Sequence, residues 1–229
     1  MFNLITQYYL SHSKKRQAEL DLCLEKNLAN PHLETLHLLN EKPYTLDRLR
    51  HKKIHQHIIG HRLNYHDAFR YANSFLPGKL CILSNADIFF DASIAQCSHL
   101  TFENHLFALL RYEYDSRSTP YLFGPRNDSQ DSWIFSPPIR TSLNFDFPLG
   151  QPGCDNKLIY LLKQINYAVF NPCHSIKSFH LHQSAIRTNA KYIKKFLFWK
   201  TNNTKLKLVP PPYAYLDPCH LDDIAHSIT

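Results

Sequence analysis

The sequence predicts an α/β protein whose central sheet is mixed, mostly parallel and flanked by helices. The first 40 residues read as strand, helix and strand, which is the opening of a βαβ unit with parallel strands. Residues 79–84 then form a short continuous apolar run, the pattern of a strand that is buried on both faces of a parallel sheet. In such sheets ligands bind beyond the carboxyl ends of the strands, so residues that directly follow a strand are the first candidates for a site.

Length and composition favour one folded domain. The chain has 229 residues, of which 44% are apolar and 20% charged, and this excludes a disordered or fibrous protein. Its five glycines form neither the dinucleotide-binding pattern Gly-x-Gly-x-x-Gly nor a P-loop, which argues against both of those classes.

Charge, cysteines and the terminal segments bound the partners and the compartment. Lys and Arg exceed Asp and Glu by 26 to 19, which favours anionic ligands without choosing among nucleotide, anionic lipid and nucleic acid. The six cysteines form no Cys-x-x-Cys pair, so free thiols are expected. The N-terminus lacks a secretory signal pattern and no apolar run is long enough to cross a bilayer, which predicts a cytoplasmic protein.

The N-terminal elements follow from apolar patterning and capping residues. Residues 2–10 read as a buried first strand, and the serines after it provide N-cap chemistry for a helix over residues 14–28. Asn30 and Pro31 stop that helix, and a second strand is expected over residues 32–40.

Two segments precede the buried strand at 79–84. Residues 48–62 are basic, and their histidines have i,i+4 spacing that on a helix would suit a metal. Five Lys or Arg and no carboxylate in the same stretch make a solvated connector the better interpretation. Residues 65–76 have the apolar spacing of a second amphipathic helix.

The second half alternates short strands with one helix. Strands are expected over residues 106–112, 133–135 and 168–170 and, as an edge strand, over 178–182, with a helix over 155–164 and a proline-rich arm at the end.

The sharpest local signal is the string Asn85-Ala86-Asp87, which comes directly after the buried strand. Carboxylate and amide oxygens at the end of a sheet strand suit Mg²⁺ or Mn²⁺. The same residue types also cap turns and helices after strands, so the string alone leaves both interpretations open.

A βαβ opening followed by a buried strand ending in Asn85-Ala86-Asp87 resembles the nucleotide-sugar-dependent glycosyltransferases of the GT-A fold. Further segments, spread between residues 2 and 217, resemble a group of small GT-A-like sugar transferases. They are residues 16–20 with 27–31, 129–135, 152–156, and 171–172 with 180–182.

The resemblance implies a GT-A type nucleotide-binding fold in one domain over residues 1–229. It implies a nucleotide-binding half in residues 1–100, an acceptor and catalytic half in 101–190, and a C-terminal arm in 191–229. The donor would be a nucleoside-diphosphate sugar, and the acceptor a glycan or another hydroxyl compound.

In that class an Asp-x-Asp-type motif binds Mn²⁺ or Mg²⁺ together with the donor diphosphate. The resemblance therefore implies that Asp87 is a metal ligand. Asn85 stands at the first motif position in place of Asp, and its expected role is to bind the ribose or to bridge through water.

Two carboxylates are candidates for the chemistry. Asp155 begins a predicted helix, where an Asp is often a cap, but the resemblance implies a general base at a comparable helix start in an inverting transfer. Asp131 precedes the strand of Trp133, and a carboxylate with an aromatic ring suits the hydroxyls and the apolar face of the donor sugar. A turn Asp beside a core Trp is the alternative, and Asp131 is the second choice for the base.

His180 and His182 are two residues apart, so on a strand they point to the same side. GT-A enzymes often take a further metal ligand from a late histidine, which makes both residues candidates. His182 is favoured because Gln183 begins a polar loop; a structural role for the pair is the alternative.

Four residues are candidates for contacts with the nucleotide. Tyr8 and Tyr9 end the predicted first strand, where a ring can stack on the base, and Arg16 and Arg62 can neutralise a diphosphate. Core tyrosines and surface arginines are the structural alternative.

Two other functions compete with glycosyl transfer. Scattered Asp and His with a basic balance would suit a metal-dependent phosphodiesterase or nuclease, although a dense carboxylate cluster for two metals is absent from the sequence. A non-catalytic polyanion-binding module would use residues 48–62 and 191–207 and would not need Asp87. Nucleic acid is not expected as a partner, and the basic, aromatic residues 196–199 suit either peripheral membrane contact or packing on the core.

Overall fold

A mixed seven-stranded sheet forms the centre of the protein in a computed structural model, which describes residues 1–183 and 208–228. In the described part the central strands are β1 (Phe2–Thr6), β2 (Leu33–Asn40), β3 (Ile54–Ile58), β4 (Leu80–Ser84), β6 (His105–Leu109), β9 (Ser132–Phe135) and β10 (Ala168–Phe170). A smaller sheet contains β5 (Ile88–Phe90), β7 (Tyr112–Glu113), β8 (Tyr121–Leu122) and β11 (Ser178–His180). The helices are α1 (Lys14–Ala29), α2 (Tyr65–Phe75) and α3 (Cys154–Gln164).

The central sheet has the strand order β10-β6-β9-β4-β1-β2-β3. Strand β1 is parallel to β2 and β4, β2 is parallel to β3, and β6 is parallel to β10. Strand β9 is antiparallel to both of its neighbours, β4 and β6. Six of these strands therefore end on one side of the sheet, here called the carboxyl edge, and β9 begins there.

Apolar side chains on both faces of the sheet account for its burial. Along β4, Cys81 and Leu83 pack in the apolar cluster that contains the buried faces of α2 and α3. Ile82, between them, packs in the opposite cluster, to which α1 contributes Leu24. This alternation confirms an α/β protein with helices on both faces of a mostly parallel sheet.

The predicted βαβ opening is confirmed. Helix α1 is capped by Ser13, whose side chain accepts a hydrogen bond from the backbone N of Arg16 at 3.3 Å. Strand β1 ends at Thr6, however, so the prediction that it continues to residue 10 was wrong.

Other strands of the structure also differ from the sequence predictions. The predicted connector at 48–62 contains β3, which pairs with β2 at the end of the sheet and whose side chains are mostly exposed. Its polar sequence, Ile-His-Gln-His-Ile, is therefore typical of an edge strand and not of a buried one. The predicted edge strand at 178–182 is β11, which lies between β5 and β7 in the smaller sheet.

The C-terminal residues 208–228 return to the body of the protein. The backbone N of Val209 donates to the Pro152 carbonyl at 3.2 Å, and that of Leu216 donates to the Asn127 carbonyl at 3.1 Å. The predicted basic stretch 191–207, including residues 196–199, lies outside the described residues. All six cysteines are free thiols, and none of the described helices is both long and apolar enough to span a bilayer.

Gly153 sits where the C-terminal residues cross the start of α3. Its backbone is left-handed, with φ of 80°, and a Cβ added there would lie 2.7 Å from the hydroxyl oxygen of Tyr213. Gly78 also has a left-handed φ of 68°, but open space surrounds it.

We expect Gly153→Ala to reduce the free energy of unfolding more than Gly78→Ala does. Both changes put alanine in a left-handed conformation, which costs roughly 1–2 kcal/mol, and only Gly153→Ala adds the overlap with Tyr213, typically about 1–3 kcal/mol. Denaturant unfolding of both variants measures the difference. Equal losses would show that Tyr213 moves aside at no cost.

Candidate functional site

Asp87 is the centre of a buried group of polar side chains at the carboxyl edge, just beyond β4. Its carboxylate is paired with the guanidinium of Arg16, from the first turn of α1. Its Oδ2 also lies 3.3 Å from Nε2 of His180 and 3.6 Å from Nδ1 of His182. The structure thus brings together Asp87, Arg16 and both histidines, four of the residues that the sequence selected.

The smaller sheet places the histidines against Asp87. Strand β11 is antiparallel to β5 and pairs His180 with Ile88, the residue after Asp87. The backbone N of Leu181 donates to the Asp87 carbonyl at 3.0 Å. The side chains of His180 and His182 flank Leu181 and reach the same carboxylate, which confirms the same-side prediction.

Electrostatics hold Asp87 in its charged form. Burial alone would raise the pKa of Asp87, but interactions with His180, His182 and Arg16 outweigh it and hold that pKa well below its usual range. Burial lowers the pKa of His180, but the neighbouring Asp87 and Glu113 outweigh this effect and raise that pKa to about 9.

Glu113 fixes the orientation of the His180 ring. Strand β11 is also parallel to β7 and pairs His180 with Glu113. A Glu113 Oε2 lies 2.9 Å from His180 Nδ1, which leaves Nε2 of that ring facing Asp87. When a histidine binds a metal through one ring nitrogen, a carboxylate at the other nitrogen sets the tautomer and the basicity of the ring.

The polar contacts continue from Glu113 to a second carboxylate. Arg111 donates from Nε to Glu113 at 2.7 Å and from Nη1 to Asp131 at 2.6 Å. Asp131 in turn accepts from Nδ2 of Asn85 at 2.8 Å. Asn85 therefore turns towards Asp131, while Asp87, two residues later, turns towards the histidines.

Asp155 lies close to Asp131 at the start of α3. Its Oδ2 accepts from the backbone N of Gln130 at 2.9 Å, and its Oδ1 accepts from that of Asn156 at 3.0 Å. Gly153, and not Asp155, is the N-cap of this helix. Burial, with a smaller contribution from the charge of Asp131, raises the pKa of Asp155 to about 7. Asp155 thus ties α3 to the loop before β9, with a pKa suited to proton transfer near neutral pH.

Arg62 lies near Asn85 at the carboxyl edge. Its guanidinium donates to the carbonyl of Leu149 at 2.6 Å. A Cβ added to Gly150 would lie 3.1 Å from the Arg62 guanidinium and 3.6 Å from Asn85 Oδ1, so all three residues meet at one point of the carboxyl edge.

Two of the predicted ligand contacts were wrong. Trp133 is 0% exposed and packs edge-on against Tyr65 in the core, so it cannot cover a sugar. Tyr8 is 3% exposed and donates its hydroxyl to Asp21, so its ring does not face a ligand. Tyr9 is partly exposed and lies close enough to Arg16 to affect its pKa, which leaves Tyr9 available at the site.

Sequence reasoning missed Glu19, Arg111 and Glu113. Glu19 pairs with Nη1 of Arg16 at 3.0 Å, while Asp87 pairs with Nη2 of the same guanidinium. Arg111 and Glu113 follow the buried strand β6 by two and four residues. Polar residues at alternate positions directly after a buried strand were the signal that would have found them.

The donor atoms of Asp87, His180 and His182 fit a divalent cation. One donor atom from each lies within 4.8 Å of the other two. Among the residues that the structure describes, Nε2 of His182 is buried and has no hydrogen-bond partner. Buried polar atoms are rarely left without a partner, and a bound ion is one of the explanations for an exception.

We expect Glu113→Gln to weaken Mn²⁺ affinity about 10–100-fold, the usual cost of losing a group that supports a metal ligand. The reason is that the neutral amide holds His180 less firmly and makes its ring less basic. Calorimetric titration with Mn²⁺ measures the change, with exposed Glu103→Gln as the control. Unchanged affinity in Glu113→Gln would contradict the positioning role.

Comparisons with known proteins give little further information. No protein-family model and no curated protein matches the chain. Among solved structures, the crystal structure of HddC from Yersinia pseudotuberculosis is similar at 11% sequence identity and a TM-score of 0.34, over 59% of this chain and 77% of that one. A TM-score this low carries no conclusion about fold or activity.

Proposed function

We propose that the protein is a metal-dependent glycosyltransferase of GT-A type, which moves a monosaccharide from a nucleoside-diphosphate sugar to an acceptor hydroxyl. The observation that carries the proposal is the Asp87, His180 and His182 group, located at the same sheet edge as Asp131 and Asp155. A candidate cation site and two carboxylates therefore lie at one edge of the sheet, and one of these carboxylates, Asp155, has a pKa of about 7.

In this proposal Asp87 and the two histidines hold Mn²⁺ or Mg²⁺, and Arg16 lies beside them. When bound, the cation stabilises the charge that develops on the departing diphosphate. Two imidazoles and a carboxylate favour a transition metal such as Mn²⁺ over Mg²⁺, because Mg²⁺ prefers oxygen ligands.

The carboxylates divide the remaining roles. Asp131, held by Arg111 and Asn85, would accept hydrogen bonds from donor-sugar hydroxyls. Asp155, with its raised pKa, would take the proton of the attacking hydroxyl in an inverting transfer. Arg62 and Tyr9 remain candidates for contacts with the nucleotide.

Each of the two competing functions leaves part of the observed structure unexplained. A two-metal phosphodiesterase needs ions about 4 Å apart, and the described residues contain one group that can hold an ion. A polyanion-binding surface along residues 48–62 would explain the exposed side chains of β3 but gives Asp87 and its partners no role.

The test is thermal stability with UDP-, GDP-, CDP- and dTDP-sugars, each with Mn²⁺, Mg²⁺, Zn²⁺ or no metal. A ligand at 100 times its dissociation constant adds about 2.7 kcal/mol to the native state, which for a chain of this size raises the Tm by roughly 5–10 °C. We expect such a rise for one nucleotide class with Mn²⁺ and none without metal. No rise with any combination would contradict the proposal.

A further inference from the structure

The C-terminal residues 209–217 pass over both elements that hold Asp155. On the α3 side, the backbone N of Ala214 donates to the Asn156 carbonyl at 3.0 Å. On the side of the loop before β9, Leu216 donates to the Asn127 carbonyl at 3.1 Å, and Asn127 Nδ2 donates to Asp217 at 2.9 Å. This segment, here called the strap, is therefore fixed at both ends next to Asp155.

Contacts within the strap hold it close to the start of α3. Tyr213 donates its hydroxyl to the Val209 carbonyl and lies against Gly153, where no larger residue fits. The pKa of Tyr213 is raised by burial, by Tyr215 and by the charge of Asp155. The effect of that charge indicates that the phenol and the carboxylate lie near each other.

Tyr215 is the exposed aromatic residue of the strap. The backbone N groups of its two neighbours, Ala214 and Leu216, both donate hydrogen bonds to the body of the protein, and Leu216 is buried. Tyr215 itself is 53% exposed. A large aromatic ring on a fixed backbone has little conformational freedom to lose on binding, so it makes an efficient contact surface.

We propose that the strap forms the acceptor subsite and that Tyr215 is the surface on which a pyranose ring of the acceptor packs. The axial hydrogens of a pyranose make one face apolar, and that face packs on an aromatic ring, while its hydroxyls need nearby acceptors. Asp155 is the candidate acceptor, because its neighbour Asn156 is bonded to the strap through Ala214, the residue before Tyr215. The inference rests on the proposed function and specifies it, because it makes the acceptor a carbohydrate.

The test uses methyl pyranosides of glucose, galactose and N-acetylglucosamine as probes, with saturation-transfer NMR on the full chain. We expect at least one probe to bind wild type and Tyr215→Phe, which keeps the ring, and to bind Tyr215→Ala about tenfold more weakly. Phe75→Ala is the matched control, because Phe75 is a 61% exposed aromatic that contacts β3 at the far end of the sheet.

Mn²⁺-dependent nucleotide binding is measured on the same variants. We expect nucleotide binding to be unchanged in Tyr215→Ala. If wild type shows no Mn²⁺-dependent nucleotide binding, that result counts against the proposed function and not against the acceptor subsite. No probe binding to wild type, or equal binding to wild type and Tyr215→Ala, would overturn the acceptor subsite. A loss in Phe75→Ala equal to that in Tyr215→Ala would overturn it as well.

Discussion

We expect Asp87→Asn to abolish Mn²⁺-dependent nucleotide binding, with metal affinity reduced on the order of 100-fold or more. The lower bound follows because losing only a supporting group of a metal site costs ~10–100-fold, and within residues 1–183 and 208–228 Asp87 is the one carboxylate that both histidines reach. Asparagine keeps the shape of the side chain and a carbonyl oxygen for Arg16. Calorimetric titration of Mn²⁺ with saturating nucleotide measures the loss.

Two further variants make this result specific. Asp87→Ala removes one of the two carboxylates that pair with the buried Arg16 guanidinium, so we expect it to be less stable than Asp87→Asn, because removing one partner of a buried ion pair costs about 3–5 kcal/mol. Asp91→Asn changes an exposed carboxylate four residues further on and should leave Mn²⁺ affinity intact. Wild-type affinity in Asp87→Asn would remove Asp87 from the metal site.

If the protein is a glycosyltransferase, we expect Asp155→Asn to reduce its turnover ~10²–10⁴-fold, the usual contribution of a positioned general base, and to retain donor binding. Turnover is followed as release of the nucleoside diphosphate. The pH profile identifies the role, because the pKa of Asp155 is raised to about 7 and the base acts only when deprotonated. In wild type kcat/KM should rise with pH up to about 7 and level off above it, and the variant should lack this limb.

The raised pKa of Asp155 also makes the stability of the folded protein depend on pH. Folding raises the pKa of Asp155 from 3.8 to about 7, so between these values the folded state holds a proton that the unfolded state has lost. Its contribution to stability is therefore full below about 3.8 and is lost as the pH rises to about 7.

Asp131→Asn is the comparison for the turnover experiment. If Asp131→Asn, and not Asp155→Asn, removes the turnover and its rise with pH, the base is Asp131.

Local signals in the sequence predicted much of the fold. The N-cap at Ser13 and the apolar run of β4 depend on neighbouring residues, and both are confirmed. Strand β3 was missed because an exposed edge strand does not need an apolar pattern. The extent of β1 was overestimated because apolar residues continue past Thr6 into a loop that is itself partly buried.

The site was predictable only in its strand-end residues. Asp87 and Asp131 directly adjoin buried strands, so their position at the carboxyl edge could be inferred. Glu113 depends on the register of β11 against β7, which pairs residues 67 positions apart and leaves no trace in the local sequence. Trp133 was misassigned because an aromatic residue on a strand has the same pattern whether it faces a ligand or the core.

The chain of contacts from Glu19 to Asp131 has a consequence for the order in which the protein assembles. It contains four carboxylates, two guanidiniums and His180, whose pKa of about 9 makes it cationic at neutral pH, so the positive and negative charges nearly balance. A metal ion can bind to His180 only when its ring has lost this proton, so metal binding should release a proton. Because most of the charge is already balanced without an ion, we expect the chain to fold without its cation, and a chelator should leave a folded protein that has lost Mn²⁺-dependent nucleotide binding.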